Sequence, residues 1–300
     1  MTPAWIAVDW GTSNLRAWAM AADGAVLDHA ASDDGMGKLA RDAFEPALLS
    51  LISPWLGTGT TPVIACGMVG SRQGWHEAPY RTVPCTPLDG SALLTAPTTD
   101  PRLHVLLAPG LQQMSPADVM RGEETQIAGA LALTSGFDGV LCLPGTHSKW
   151  AHVSANEIIS FQTFMTGELF ALLSEHSVLR HGMQGNGWDD AAFDDALSDA
   201  LSRPEKIAAR LFALRAEGLI AGLTPAAARS RLSGLLIGIE LAGARPYWLG
   251  QPITLIGAEK LSATYARALK AQGAEPRILS ATDCTLAGLA TLARQPKASR

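Results

Sequence analysis

Neither of the two commonest phosphate-binding glycine loops occurs in this chain. There is no G-x-x-x-x-G-K-[ST] and no G-x-G-x-x-G, so phosphates, if bound, are not held by a loop that opens a helix. The four cysteines, Cys66, Cys85, Cys142 and Cys284, form no C-x-x-C pair. That spacing excludes a zinc ribbon, and four cysteines in a chain this long are no disulfide framework; buried, reduced thiols are expected. No apolar run is long enough to span a bilayer, and no basic segment followed by an apolar run stands at the start. The expectation is a cytoplasmic protein with no membrane partner. An excess of positive charge is also missing. The formal net charge of -5 argues against a nucleic-acid surface, so an anionic ligand must be met by individual Arg and Lys residues.

What is present suits a soluble globular chain. At 300 residues and 47% apolar, it can bury a real core as one large domain or two smaller ones. Strands are predicted at residues 5–10, 15–20 and 25–31, followed by a helix near 43–56 and a short buried strand at 62–66. Residues 89–101, rich in Thr, Pro and Ala, read as a surface loop before a strand at 104–108. Ser115-Pro116 has the form of a helix start, with a further helix through 123–133. Residues 174–218 turn helical and polar. Thr224-Pro225 opens another helix to about 242, and the chain ends α/β, with strands at 253–256 and 277–279 and helices at 259–271 and 283–293.

The most informative segment is Ile6-Ala-Val-Asp9-Trp-Gly11-Thr12-Ser13-Asn14-Leu-Arg16-Ala-Trp18. An apolar strand ends in an aspartate, turns tightly, and runs straight back. Such a turn offers backbone N–H groups and small hydroxyls to phosphate oxygens. A carboxylate at a strand end can hold Mg²⁺, usually through water. The theme returns at Val140–Leu143, Pro144-Gly145-Thr146-His147-Ser148-Lys149 and Trp150–Val153. Two such hairpins indicate a duplicated domain. His147 and His152 invite a metal reading, but their spacing sets them on opposite faces of a strand, so solvated or satisfied histidines are expected.

Five blocks stand in order along the chain: Ile6–Trp18; Cys66-Gly-Met-Val-Gly-Ser-Arg72-Gln73-Gly-Trp75; Met120-Arg121-Gly-Glu123-Glu124-Thr-Gln126; Leu143-Pro-Gly-Thr-His-Ser-Lys-Trp150; and Phe164-Met-Thr-Gly-Glu-Leu169. With the terminal Gly257-Ala258-Glu259-Lys260, they resemble the 2-dehydro-3-deoxygalactonokinases of the sugar kinase and actin-like ATPase superfamily. The resemblance implies an α/β protein of two ribonuclease H-like domains around a nucleotide cleft. The first would span 1–135 and the second 136–300, with a helical insertion at about 174–243. It further implies an ATP- and Mg²⁺-dependent phosphotransferase with an alcohol acceptor, the 6-hydroxyl of 2-dehydro-3-deoxy-D-galactonate, acting in galactonate catabolism.

By that resemblance Asp9 serves the metal. Gly11, Thr12, Ser13 and Asn14 line the phosphates from one half, and Gly145 and Thr146 from the other. Gly257, Ala258 and Glu259 approach the adenine or ribose, with small residues of the last helix, Ala287, Gly288 and Ala290, beside the nucleotide. Related kinases place an Asp at a helix start before the second hairpin. Here Glu124 fits the offset to Gly145-Thr146 and Glu123 fits the Gly-acid dipeptide, with Asp118 a third candidate base. Arg72 is expected to clamp the substrate carboxylate, since a guanidinium matches that geometry, with Gln73 and Trp75 beside it. Arg121 and Lys149 are rival anion contacts. Thr166 and Glu168 lie in a block expected near the cleft, without a role. The rival epimeric acid, another sugar acid, and a non-catalytic sugar-acid sensor remain open at this stage.

Overall fold

The computed structural model of the protein describes residues 2–295. Its first sheet is built from β1 (Trp5–Trp10), β2 (Leu15–Met20), β3 (Val26–Ser32), β4 (Thr61–Gly67), β6 (Leu94–Thr95) and β7 (Leu103–Leu107), with α1 (Phe44–Ile52) between β3 and β4. The strand order is β3-β2-β1-β4-β7-β6. β1 to β3 form an antiparallel meander, and β4 and β7 continue parallel to β1. A small sheet of β5 (Tyr80–Thr82), β8 (Gly110–Met114) and β9 (Ala117–Met120) follows, leading into α2 (Glu123–Leu133). The expected helix start at Ser115-Pro116 is corrected here: the two residues form the turn of the β8–β9 hairpin. Local cap chemistry there is overruled by pairing of the flanking residues with each other.

The second sheet repeats the connectivity of the first. β10 (Gly139–Leu143), β11 (Ser148–Ser154), β12 (Glu157–Phe164), β13 (Ile253–Gly257) and β14 (Arg277–Ser280) stand in the order β12-β11-β10-β13-β14, with β10 and β13 parallel. Between β12 and β13 come α3 (Thr166–Ala171), α4 (Asp190–Ser202), α5 (Ile207–Ile220), α6 (Pro225–Gly243) and α7 (Arg245–Trp248); α8 (Glu259–Lys270) lies before β14 and α9 (Ala281–Arg294) after it. Two sheets with one shared strand order are the ribonuclease H-like arrangement of the actin-like ATPases. No helix among the described residues is long and apolar enough to cross a membrane.

The described residues separate into two compact units: 2–138, 153–160 and 280–295, and 139–152 and 161–279. In the first, β1 is buried on both faces, as a central parallel strand requires. Ile6, Val8 and Trp10 pack with Phe44, Leu48 and Ile52 of α1, whereas Trp5 and Ala7 face Leu289 and Leu292 of α9. Contrary to the expected boundary, α9 thus belongs with the first unit. Small residues make this possible: a Cβ on Gly129 would stand 1.7 Å from the Cys284 carbonyl oxygen, and one on Gly288 2.0 Å from that of Thr125. Helices α2 and α9 therefore touch backbone to backbone, and Gly288 serves this contact. In the second unit, Trp150, Phe193, Leu241, Leu255 and Tyr265 share the core of sheet, α4, α6 and α8.

Candidate active site

Period-two alternation decides which face of β1 carries the carboxylate. Asp9 follows Trp5 and Ala7 on the α2/α9 side, and its register partners are Arg16 on β2 and Cys66 on β4. Arg16 forms an ion pair with Asp9 and reaches Thr282 Oγ1 at 3.5 Å. Sequence reasoning passed over Arg16, although its register opposite Asp9 was a signal. Burial pushes the Cys66 thiol well up, and the charges of Asp9 and Glu124 push it further. This buried thiol lies within the field of both carboxylates.

Two glycine bends bring the strand and the helix together. Gly67 ends β4 at φ +91° and Gly122 precedes α2 at φ +107°, both in the region that favours glycine. A Cβ on Gly67 would lie 3.5 Å from Asp9 Oδ1, and one on Gly122 3.2 Å from the Gly67 Cα. Beyond the second bend, Glu124 is completely buried. One of its oxygens accepts the Gly122 N–H at 2.7 Å and the other the Thr125 hydroxyl at 3.3 Å. Burial, with the neighbouring Glu123 charge, pushes its carboxyl up to about 7, while the nearby Arg121 guanidinium pulls the other way. A carboxyl titrating near neutrality is what general base work requires. Glu123 is half-buried and accepts the Arg121 N–H at 3.1 Å. Asp118 lies on β9, with one oxygen accepting the Val119 N–H.

The expected carboxylate clamp is rearranged. The Arg72 side chain is 82% exposed, its nearest acid being Glu77 at 3.9 Å, and Gln73 is exposed too. Trp75 is a core residue, 4% exposed, edge-on to Trp10 and stacked with Phe44, so it offers no face to a sugar. The loop folds inward at its apolar residue and leaves its polar ones in solvent. Arg121 is instead buried. Its guanidinium lies 4.4 Å over the Tyr80 ring and donates to the Ala78 carbonyl at 2.8 Å, while Nε and Nη1 have no hydrogen-bond partner.

The first hairpin closes through the Gly11 N–H on the Asn14 carbonyl at 2.9 Å, and Gly11 and Thr12 carbonyls accept from Met36 and Gly37. Thr12, Ser13 and Asn14 stay exposed. In the second unit, Gly145 and Thr146 line a cavity of about 620 Å³ together with Thr166, Asn186, Trp188 and Ala258, a volume in the range of small-molecule sites. Arg229, lying 4.9 Å over the Phe170 ring, and Lys260 also line it, and among the described residues no carboxylate does. Of the predicted Gly257–Glu259 turn, only Ala258 lines the cavity. Gly257 instead packs closely, its Cβ position 2.9 Å from Ser262 Oγ, and Glu259 is exposed at the first turn of α8.

Residues 166–168 secure the second hairpin. Gly167 approaches the Gly145 carbonyl oxygen, where a Cβ would stand at 2.3 Å. The Glu168 N–H donates to the Thr146 carbonyl at 2.9 Å, and the Glu168 carboxylate meets His147 Nε2 at 2.6 Å. His147 thus has a partner in the block that sequence left without a role. Lys149 is buried, with Nζ donating to the His147 carbonyl at 3.4 Å.

Duplicated ribonuclease H-like sheets of one shared strand order define a protein of the actin-like ATPase fold. The 2-keto-3-deoxy-galactonokinase family matches residues 9–292. A 2-dehydro-3-deoxygalactonokinase of Escherichia coli (strain K12) is 36% identical over 297 residues, 98% of each chain. A protein of Rhizobium meliloti (strain 1021) named as a probable 2-dehydro-3-deoxygalactonokinase is 39% identical over 295 residues, 96% of each. A crystal structure of a Sinorhizobium meliloti protein, provisionally assigned the same activity, superposes with a TM-score of 0.90 at 38% identity, covering 97% of this chain and 98% of that one. The chain belongs to the 2-keto-3-deoxy-galactonokinase family.

Proposed function

We propose that the protein transfers the γ-phosphoryl group of ATP to the 6-hydroxyl of 2-dehydro-3-deoxy-D-galactonate in galactonate catabolism, in the cytoplasm. The observation that carries the mechanism is Glu124, a buried carboxyl raised to about 7 in the same neighbourhood as Asp9. As a carboxylate it takes the proton of the acceptor hydroxyl while the hydroxyl oxygen bonds to phosphorus. The bond from that phosphorus to the bridging oxygen breaks, and ADP leaves with the electron pair. Because Glu124 is covered in this structure, the acceptor reaches it only when the covering side chains move aside.

The remaining residues bind and orient. The cavity lined by Gly145, Thr146 and Ala258, with its two cations and no acid, suits the nucleoside and anionic tail of ATP. Thr12 and Ser13 offer hydroxyls to the phosphates. Arg121, with two guanidinium nitrogens unpartnered, has hydrogen-bonding capacity for the sugar acid's carboxylate, and Arg72 and Gln73 contribute from the surface. Asp9, a partly exposed strand-end carboxylate, is a donor of the kind Mg²⁺ takes, since that ion is commonly held by one or two carboxylates, water and substrate phosphates. Asp9 would hold it, and when bound it would neutralise charge on the phosphates.

A coupled ADP-release assay with ATP and a panel of 2-keto-3-deoxy acids tests the reading. The galactonate derivative is expected to give the highest kcat/KM. ADP release that does not depend on any acid would instead indicate an ATPase.

A further inference from the structure

Beneath the second unit's cavity lies a carboxylate that the transfer step does not use. Glu240, on α6, is 1% exposed. One oxygen accepts the Trp150 indole N–H at 2.8 Å; the other accepts the Tyr265 hydroxyl at 2.7 Å and the Thr166 hydroxyl. With the Tyr265 proton directed at Glu240, Ser148 Oγ, 3.0 Å from the Tyr265 oxygen, is the donor in that pair. One buried acid thus ties α6 to β11, α3 and α8. Burial raises its carboxyl, but all of its contacts are donors and favour the ionised form.

Two of those donors, Thr166 and Tyr265, line the cavity themselves. Thr166 is also the first residue of α3, whose next residues, Gly167 and Glu168, secure Gly145 and Thr146. The path from Glu240 through Thr166 to the hairpin is therefore continuous and short. We propose that Glu240 is the positioning residue of the nucleotide site, fixing the cavity floor and the second phosphate hairpin through Thr166 and Tyr265 without touching the ligand. The proposal rests on the cavity being the nucleotide site, and its test separates the two ideas.

The experiment measures equilibrium binding of a fluorescent ADP analogue, alongside KM for ATP and for the sugar acid, in Glu240→Gln, Thr166→Val, Thr166→Ser and the Glu240→Gln/Thr166→Val pair. Expected is a roughly tenfold weaker ADP affinity and higher ATP KM in Glu240→Gln and Thr166→Val, with the acid KM within about twofold of the parent. Thr166→Ser, which keeps the donor, restores binding, and the double variant is no worse than the more severe single one. A merely structural role would move both KM values together, and that result, or unchanged ADP affinity in both single variants, overturns the proposal. Should Glu240→Gln fail to fold, Thr166→Val and Thr166→Ser carry the same comparison. Ala258→Trp, which narrows the cavity, checks the underlying reading: ADP affinity unaffected by it refutes a nucleotide in this cavity, whereas affinity lost there but kept in Glu240→Gln and Thr166→Val refutes only the positioning role.

Discussion

Arg16 faces Asp9 directly across the β1–β2 ladder and forms an ion pair with it. The guanidinium holds the carboxylate in place at the strand end and balances its charge. Asp9 is only partly covered, with its side chain 16% exposed.

Asp9→Asn keeps the shape and hydrogen bonding of this pair but halves its electrostatic logic. Turnover is expected to fall at least a hundredfold, the scale seen when one electrostatic contributor to transfer is removed. Circular dichroism should match the parent. Activity at saturating Mg²⁺ within fivefold of the parent would remove Asp9 from the reaction.

Glu124 gives a pH signature. The base acts ionised, so kcat/KM should climb about tenfold per pH unit below 7 and level off above it. Glu124→Gln should lose a factor of about a hundred to ten thousand in rate and lose this limb of the profile. Stability carries the opposite sign. Between the ordinary value of 4.5 and about 7, the folded state keeps a proton that the unfolded chain has released, so stability falls as pH rises through this window. Thermal unfolding of Glu124→Gln should show a smaller loss between pH 5 and pH 8 than the parent does.

Arg121 and Arg72 make a paired test of the acid site. Lysine cannot reproduce the planar fork of Arg121 or its seat on Tyr80. Arg121→Lys should raise the acid KM about tenfold or more with the ATP KM nearly unchanged. Arg72→Ala, removing an exposed side chain, should change the acid KM less than Arg121→Lys does. The reverse ranking would return the clamp to the loop.

The contact of α2 with α9 predicts coupling between packing and activity. Gly129→Val places side-chain atoms where the Cys284 carbonyl stands. The helices must separate, at a cost of about 1–3 kcal/mol or more. Both the melting temperature and the rate should drop, because α2 carries Glu124. Leu219→Ala, on the exposed end of α5, is the control and should change neither.

Much of this arrangement was legible in the sequence. Repeated strand–turn–strand segments ending in Asp9 and before Gly145 announced the duplicated sheets, because alternating burial and tight turns are local properties. Glu124 was legible as a candidate from its offset to Gly145-Thr146, but its raised carboxyl was not, since burial is a property of the packed unit. Trp75 was misread because a tryptophan in a loop can face either way until Trp10 and Phe44 fill the space beside it. The helix start at Ser115-Pro116 failed on pairing between residues that only the folded hairpin aligns. Glu240 was passed over, because its donors Trp150, Thr166 and Tyr265 come from three separate stretches that no spacing rule connects.

The braced helix has a consequence for biosynthesis. During translation α2 leaves the ribosome long before residues 281–294 exist, so the segment bearing Glu124 must wait, with Gly129 uncovered, for the helix that packs against it. A chain cut short of those residues lacks the backbone-to-backbone contact that α2 makes at Gly129 and Gly288.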